Sequence, residues 1–371
     1  MQMRPVNEVS WLPPSPPRQR RIRRIALPVL LLLLLSAAYA GWWLTAASQF
    51  RHRTLAWIED RRAEGWSLEF AEVTRRGFPL KLGLRFDKPV VGAPDASWRW
   101  SASRVLLSMP VFGGRSVRLA IKGDQAIEFA SASAPSAKPR RYFGRAGKFA
   151  FDLVLGGWMP NGRLSIRDLT MTGEGPGESL ALPRLDLVSR GDPAAATDPT
   201  VSSYAVQLTA HGMRLPEYLT VPLCREIAHL ALDAKLLGGL GAGPGPDALA
   251  KWRDEGGAAE ATRLVLACGG LTIEGEGTFA LDPAGQPIGA MTARIRGYEA
   301  ALDGLTADKV IPAHTAATAK ILLRAMARSG SEGVPTLTAP VSIQDRTVSV
   351  GPVPLLKLDA VDWLNGNGRS R

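Results

Sequence analysis

The chain has 371 residues, of which 46% are apolar and 21% are charged, and its formal net charge is +11. This apolar content excludes a wholly disordered chain, and two cysteines exclude both a disulfide scaffold and a four-cysteine zinc site. Six arginines and a single acid lie in residues 1–24, so much of the positive charge is concentrated beside the N-terminus. We expect this proline-rich segment, 1–24, to be a disordered basic tail.

An uncharged apolar run follows at residues 25–47. As an α-helix its 23 residues span about 34 Å, which is enough to cross a hydrocarbon core of about 30 Å. Trp42 and Trp43 lie near the far end of the run, where indole rings favour the membrane interface. The run therefore predicts a transmembrane signal-anchor helix.

Arginines set the expected orientation of this helix. Those that flank its near end at the membrane interface are Arg20, Arg21, Arg23 and Arg24. Because the far flank is nearly neutral, the positive-inside rule puts the N-terminus in the cytoplasm and the bulk of the chain in the periplasm, anchored to the inner membrane. The membrane accounts for the basic cluster, so we expect no nucleic acid partner. Ala38-Tyr39-Ala40 also fits a signal-peptide cleavage site, and cleavage after Ala40 stays open as the alternative.

Residues 48–64 predict a juxtamembrane amphipathic helix that continues from the membrane. The apolar positions that share one helical face are Ala47, Phe50, Trp57 and Ile58. Such a helix either lies on anionic head groups through its arginines or packs on the domain that follows. The pattern favours neither alternative over the other.

From residue 65 the apolar period changes from helical to two, which is typical of strands with one buried face. One such segment alternates Leu80, Leu82, Leu84 and Phe86 with Lys81, Gly83 and Arg85. We count about fourteen such strands between residues 66 and 360, few of them longer than nine residues, with turn signals such as Gly123-Asp124 and Gly269-Gly270 between them. Short turns indicate antiparallel meanders. The fold class is therefore mainly β: a transmembrane helix followed by a large antiparallel sheet or sandwich-like extracytoplasmic domain.

This β-rich region is expected to cover residues 65–363, possibly as two similar halves with a break near 190–200, before a disordered tail at 364–371. A few short helices interrupt it, one at 245–255 and a pair within 298–329. The last helix of the pair should bury the stripe Ala319, Leu322, Leu323 and Met326, and its opposite stripe Lys320, Arg324 and Arg328 should face solvent.

Motifs for catalysis or cofactor binding are missing from the sequence. The glycine-rich run 238–245 does not have the spacing of a dinucleotide or phosphate loop, and neither G-x-S-x-G nor H-E-x-x-H occurs. The residues His211, Cys224, His229 and Cys268 match no recurrent zinc spacing. We therefore expect no catalytic residue, no metal and no cofactor, although the carboxylate pair of a hydrolase need not have a recognisable spacing in sequence.

Cys224 and Cys268 predict a strand pairing. Cys224 precedes a strand near 227–232 and Cys268 ends a strand near 262–267, on either side of the helix at 245–255. If these strands pair antiparallel around that helix, the two thiols face each other, since their midpoint, residue 246, lies inside the connection. An oxidising compartment would let them bond. The loop of 44 residues would then contribute roughly 3–4 kcal/mol on the chain-entropy model.

Several segments resemble a known family. The residues Gly77-Phe78-Pro79 followed by alternation, the segment 271–282 with 287–291, the segment 297–305 leading into a helix, and a closing hairpin at 341–356 are similar to an uncharacterised proteobacterial envelope family, domain of unknown function 2125. The resemblance covers roughly residues 25–360 and implies no known activity and no catalytic residues. The layout also resembles the large AsmA-like envelope proteins, whose sheets form grooves that hold lipid, an analogy of architecture alone.

Three functions remain compatible with the sequence. The first is a non-enzymatic anchored protein whose apolar sheet face binds lipid or another hydrophobic envelope component, unless the sheet packs on itself as a closed sandwich. The second is a scaffold or assembly factor that recruits envelope proteins through strand edges. The third is an envelope hydrolase, which no residue or motif in the sequence supports.

Overall fold

The structure is a computed structural model of the chain. It describes residues 18–112, 115–130, 139–154, 161–175, 177–191, 202–216, 224–239, 246–329 and 334–361, and of residues 18–26, 246–247 and 329 it describes the backbone alone. The expected tails at 1–24 and 364–371 therefore lie largely or wholly outside the described residues.

Four helices lie in the described part of the chain: α1 (Arg18–Ala63), α2 (Pro246–Asp254), α3 (Tyr298–Ala307) and α4 (Ala313–Met326). The first of these is continuous, so the predicted membrane segment and juxtamembrane helix are one element. Its segment Leu27–Ala63 contains a stretch long and apolar enough to cross a membrane, and hardly any of that stretch is buried by the protein.

Nineteen strands form the rest of the described structure. The first eight are β1 (Ser67–Glu69), β2 (Glu72–Arg76), β3 (Lys81–Asp87), β4 (Val90–Gly92), β5 (Trp98–Pro110), β6 (Ser116–Phe129), β7 (Arg140–Arg145) and β8 (Lys148–Val154). The next seven are β9 (Asn161–Gly173), β10 (Ser179–Gly191), β11 (Ser202–Arg214), β12 (Glu226–Leu237), β13 (Ala258–Cys268), β14 (Leu271–Leu281) and β15 (Pro287–Arg296). The last four are β16 (Arg328–Ser329), β17 (Pro335–Gln344), β18 (Thr347–Val350) and β19 (Val353–Lys357).

All of these strands belong to one antiparallel sheet, as the mainly β prediction requires. From β8 to β15 each strand pairs with the next in the chain, and β17, β18 and β19 extend the meander. At the other end β5 pairs with β3 along one part and with β4 along another, while β7 and β8 both bridge β6 to β9. Within the described residues the two ends of the sheet do not pair with each other, so the sheet is open.

The sheet shows no break near residues 190–200. β10 and β11 are hydrogen-bonded neighbours, and one core cluster joins Leu185 to Met213 across this point. Each core cluster contains strands that are neighbours along the sheet, and the cluster that crosses this point includes Ile166 before it and Leu230 after it. The described residues therefore form one continuous sheet across this point, and the expected division into two similar halves stays a prediction.

Several strands are longer than the sequence predicted. β5, β6, β9, β10 and β11 each have 13 or 14 residues. The predicted turn at Gly123-Asp124 lies inside β6, where Gly123 has φ +82° and the register to β5 shifts. A left-handed glycine in a bulge shifts the alternation by one residue while the strand continues, so the sequence pattern reads as two strands.

The helix α1 packs on the first strands of the sheet beyond residue 42. Ile58 joins a cluster with Leu84, Phe86 and Val105, while Ala47 packs with Leu82. Residues 48–64 therefore pack on the domain that follows, which is the second of the two alternatives stated above. The prediction that Trp57 lies on the buried face of this helix is wrong. Its ring is exposed, and Leu55 packs on the cluster instead.

The helices α3 and α4 pack on the opposite end of the sheet. Ala319 and Leu323 of α4 are buried as predicted, whereas Leu322 and Met326 are 41% and 39% exposed, because the buried stripe is narrower than the sequence pattern. The basic stripe is only partly solvated. Lys320 is paired to Asp303 at 2.5 Å and Arg324 to Glu299 at 2.8 Å, so these ion pairs join α4 to α3.

Candidate functional site: an open apolar face

One face of the sheet carries unbroken rows of apolar side chains that run across the strands. Directly paired residues lie on the same face, so the strand registers define these rows. In the central strands β8 to β13 the first row is Phe149, Ile166, Leu185, Ala210, Leu230 and Leu266. The second row in the same strands is Phe151, Leu164, Leu187, Leu208, Leu232 and Leu264. We call the face that these two rows define the apolar face.

The rows extend in both directions beyond the central strands. Towards the N-terminal end they continue with Ile121, Val105 and Phe86 and with Leu119, Leu107 and Leu84. Towards the C-terminal end they continue with Ile273, Ile295 and Leu337 and with Gly275, Ala293 and Ala339. Every position in both rows is thus an apolar residue or glycine, from β3 to β17.

In the part of the chain that the structure describes, helices cover only the two ends of the apolar face. At one end Phe50, Leu55 and Ile58 of α1 pack with Val105 and its neighbours. At the other end α3 and α4 bury Leu337 completely. Over the central strands no helix packs in the described part of the chain, and the central leucines of both rows are only half-buried. Between the two covered ends the described residues therefore present a partly exposed apolar surface, within which Ile166 and Ala210 are buried.

The opposite face of the same strands is polar and holds ion pairs. Arg167 donates two hydrogen bonds to the carboxylate of Asp186, each at 2.9 Å, and Arg184 adds a third at 3.0 Å. Partial burial pushes the pKa of Asp186 upward, but the hydrogen bonds from both guanidinium groups outweigh it and hold that pKa below its ordinary value of 3.8. A further pair, Arg118–Asp152, bridges β6 and β8 on this face. One face of the sheet is therefore apolar and the other is charged.

The predicted cysteine pair lies at one edge of the central strands. The structure joins Cys224 to Cys268 by a disulfide, with their Cα atoms 5.7 Å apart, and Ile227 is the residue paired to Cys268 in the strand register. Close to it on the polar face, the Nδ1 atoms of His211 and His229 are 3.0 Å apart. Burial, then the nearby charges of His211 and Arg263, lower the pKa of His229 below 6.5. The four residues that matched no zinc spacing thus lie near one another, but as a disulfide and a histidine pair.

The predicted interface residues occupy α1. Arg20, Arg21, Arg23 and Arg24 lie in its backbone helix, and their side chains are outside the described residues. Trp42 is half-exposed, and its place at a membrane interface stays a prediction. Trp43 is not: it is 5% exposed, packs with Leu82 and donates a hydrogen bond from Nε1 to the carbonyl of Lys81 at 3.1 Å. Its indole belongs to the protein core because the sheet begins alongside the helix at this level.

Polar groups elsewhere do not assemble into a reactive cluster within the described residues. No group of three or more potential metal ligands occurs there. An open depression between β4, β5, β6 and β7 contains Asp124 and Arg145, which pair with each other at 2.6 Å and are mostly exposed. What the arrangement offers chemically is a broad apolar surface. Its individual strands could be predicted from the sequence but the face could not, because the continuity of the rows depends on registers between residues far apart in the chain.

Comparison with curated proteins and with solved structures finds no match. The match to a family model is extensive, since it covers residues 43–359, from the first tryptophan of α1 that packs on the sheet to just beyond the last strand. The chain therefore belongs to the bacterial family described as uncharacterized protein conserved in bacteria, domain of unknown function 2125.

Proposed function

We propose that this protein is a non-enzymatic, single-pass membrane-anchored carrier or holder whose open apolar face binds a lipid or another hydrophobic component of the cell envelope. The observation that supports this most is the pair of apolar rows that crosses the central strands, over which no helix packs among the described residues. Exposed apolar area costs about 25 cal/mol per Å² in water. A contiguous open surface of this kind marks a site that something else covers.

The dimensions of the open surface fit an acyl chain. Strands lie about 4.8 Å apart, so the five steps from β8 to β13 cover about 24 Å. One leaflet of a bilayer core is about 15 Å deep, half of the whole. A whole acyl chain can therefore lie along the two rows and contact several leucines. The described part of this face would offer it apolar contacts alone.

The proposal includes an uncleaved anchor with its N-terminus in the cytoplasm and its β-sheet in the periplasm. Tyr39, which precedes the cleavage candidate, donates a hydrogen bond from its hydroxyl to the carbonyl of Pro79 at 2.6 Å, so this part of α1 is engaged by the folded domain. The intact mass of the protein purified from membranes tests this directly. A mature chain beginning at Gly41 would refute the anchor.

The alternative, a scaffold that recruits partners by strand addition, receives less support. The strands at the two ends of the sheet are short: β1 has 3 residues, and β2 and β19 have 5 each. Short edge strands present few unpaired backbone groups and are a common protection against strand addition. A long apolar face and short edges together favour binding on the face.

Photocrosslinking at two adjacent positions tests the proposed occupant. A photoreactive amino acid at Leu208 lies on the open face, and the same residue at Gln207 lies on the opposite face of the same strand, so the pair is a matched control. We expect lipid adducts by mass spectrometry at Leu208 and not at Gln207 in living cells. Equal lipid labelling at both positions, no lipid adduct at Leu208, or a protein adduct there would refute lipid binding. A protein adduct would in addition revive the scaffold.

A further inference from the structure

A second apolar surface lies at the level where α1 enters the sheet. It consists of the exposed side chains Phe78 and Leu80, in the turn between β2 and β3, and Phe112, just after β5. Phe78, Leu80 and Phe112 are 57%, 66% and 64% exposed, values unusual for large apolar residues that lie close together. We call these three residues the collar.

The collar is fixed to α1 by aromatic and hydrogen-bond contacts. The ring of Trp42 stacks on Phe112 at 6.2 Å with an interplanar angle of 13°, and Trp43 meets Phe78 edge to face at 5.3 Å. The ring of Tyr39 lies 6.3 Å from both collar phenylalanines. The height of the collar along the helix is therefore set by Tyr39, Trp42 and Trp43.

The turn that carries Phe78 is itself closely built. Gly77 has φ +104°, and a Cβ there would lie 2.5 Å from the carbonyl oxygen of Lys81. The backbone N–H of Lys81 donates to the carbonyl of Gly77 at 2.8 Å and closes the turn. The exposed apolar residues are thus presented by a tight turn.

The helix places the collar inside the membrane if the anchor crosses it. The first residue after the arginine cluster is Ile25, and Tyr39 is 14 residues further, which is about 21 Å along the axis. A hydrocarbon core of about 30 Å that begins at Ile25 ends near residue 45. Side chains packed on Tyr39 and Trp42 therefore lie below the far surface of that core.

Basic residues surround the collar where head groups would lie. Arg76 and Lys81 flank the turn of Phe78, and Arg115 follows Phe112 by three residues. All three are exposed, and in the described structure none of them forms an ion pair with an acid. Cationic side chains beside an inserted apolar tip are the arrangement that binds lipid phosphates.

We infer that the collar inserts into the membrane leaflet farther from the arginine cluster, so that the folded domain is held by two loops as well as by the helix. This inference rests on the proposed anchor. Its occupant is the lipid of that leaflet. The start of the sheet is then seated at the membrane surface, where a lipid could reach the apolar face without crossing water.

A solvent-sensitive probe on single cysteines of the full chain in lipid nanodiscs tests the insertion. Leu80→Cys reports the collar, and Leu32→Cys reports the anchor itself. Ser97→Cys is the matched control, because Ser97 is exposed in the turn before β5, at the opposite end of that strand from Phe112. The wild-type chain, in which both cysteines are bonded, should take up no label under non-reducing conditions.

We expect the probe at position 80 to be quenched more by spin-labelled acyl chains than by aqueous iodide, and the probe at position 97 to show the reverse. Iodide quenching at position 80 equal to that at position 97 would overturn the insertion, provided that the probe at position 32 is quenched by lipid. If position 32 is also quenched by iodide, the anchor fails, and the collar fails with it. Protection of position 80 from both quenchers would mean that protein covers the collar, and would overturn its insertion as well.

Discussion

Alanine in place of Leu230 and of Leu337 should give very different losses of stability, although both leucines lie on the first apolar row. Leu337 is completely buried beneath α3 and α4. Leucine-to-alanine changes at such sites cost about 2–5 kcal/mol, because a cavity adds to the lost transfer free energy. We expect about 3 kcal/mol for Leu337→Ala.

Leu230 lies on the open part of the same row and is only half-buried, with neighbours on its own face but no helix above it in the described residues. Its replacement leaves no enclosed cavity, so only part of the transfer term is lost, about 1 kcal/mol. The contrast between the two substitutions therefore measures whether the central face is covered. It is independent of the identity of the ligand.

Urea unfolding of the full chain in nanodiscs, followed by tryptophan fluorescence, measures both costs from the shift in midpoint at constant slope. The protein should be stripped of bound lipid first, and lipid added back should raise the cost at Leu230 and leave that at Leu337 unchanged. Equal costs in the stripped protein would mean that the central face is covered by protein, and would refute the open face.

Three other predictions concern the disulfide and the polar face. The denatured, unreduced chain should show no reactive thiol, and reduction should lower its stability by roughly 3–4 kcal/mol for the 44-residue separation of Cys224 and Cys268; two thiols in the titration would contradict the bond. The folded state favours neutral His229, so the contribution of this ring to stability is present above pH 6.5 and is lost as the pH falls through the lower pKa of the folded state. His229→Asn should therefore flatten the dependence of the unfolding free energy on pH below 6.5. An unchanged pH dependence would count against burial of this ring. Asp186→Asn should cost about 1 kcal/mol at pH 7, since the pair is partly exposed; the wild-type advantage should persist above pH 3.8 and vanish as the pH falls through the lower folded pKa of Asp186, and urea midpoints between pH 2 and 7 that run parallel for the two proteins would argue against it.

Much of the secondary structure could be predicted from local patterns. Alternation of apolar residues requires only that one face be buried, and it identified strands as far apart as β3 and β17 without any knowledge of their partners. The helices α2, α3 and α4 could be located from local sequence as well, since their apolar residues recur with the helical period. The cysteines added one long-range restraint, because two residues flanking a connection between antiparallel strands approach each other in any such hairpin.

The sequence could not predict which of the apolar residues are covered. Trp43 and Trp42 are adjacent and identical, yet one is buried against Leu82 and the other is half-exposed, because the sheet contacts only one side of α1. Likewise Lys320 and Arg324 pair with α3, a contact that depends on how two helices are arranged. Which of these residues is covered depends on the tertiary arrangement of the elements, and the local sequence period does not predict that arrangement.

The side chains of the second apolar row differ in size between its C-terminal end and its centre. Where α3 and α4 press on the sheet, the row contains Ala293 and Ala339, which are buried in the cluster of α4, whereas beneath α1 it contains Leu84 and Leu107. In the open centre it contains five successive leucines on neighbouring strands, from Leu164 to Leu264. Small residues allow a rigid helix to approach closely, whereas long aliphatic side chains fill an irregular space and adapt to a flexible occupant. If water were the intended neighbour of the central strands, polar residues would serve there at no cost, as Gln207 and Asp186 do on the other face of the same strands. The leucines therefore favour an apolar neighbour over water at the central strands.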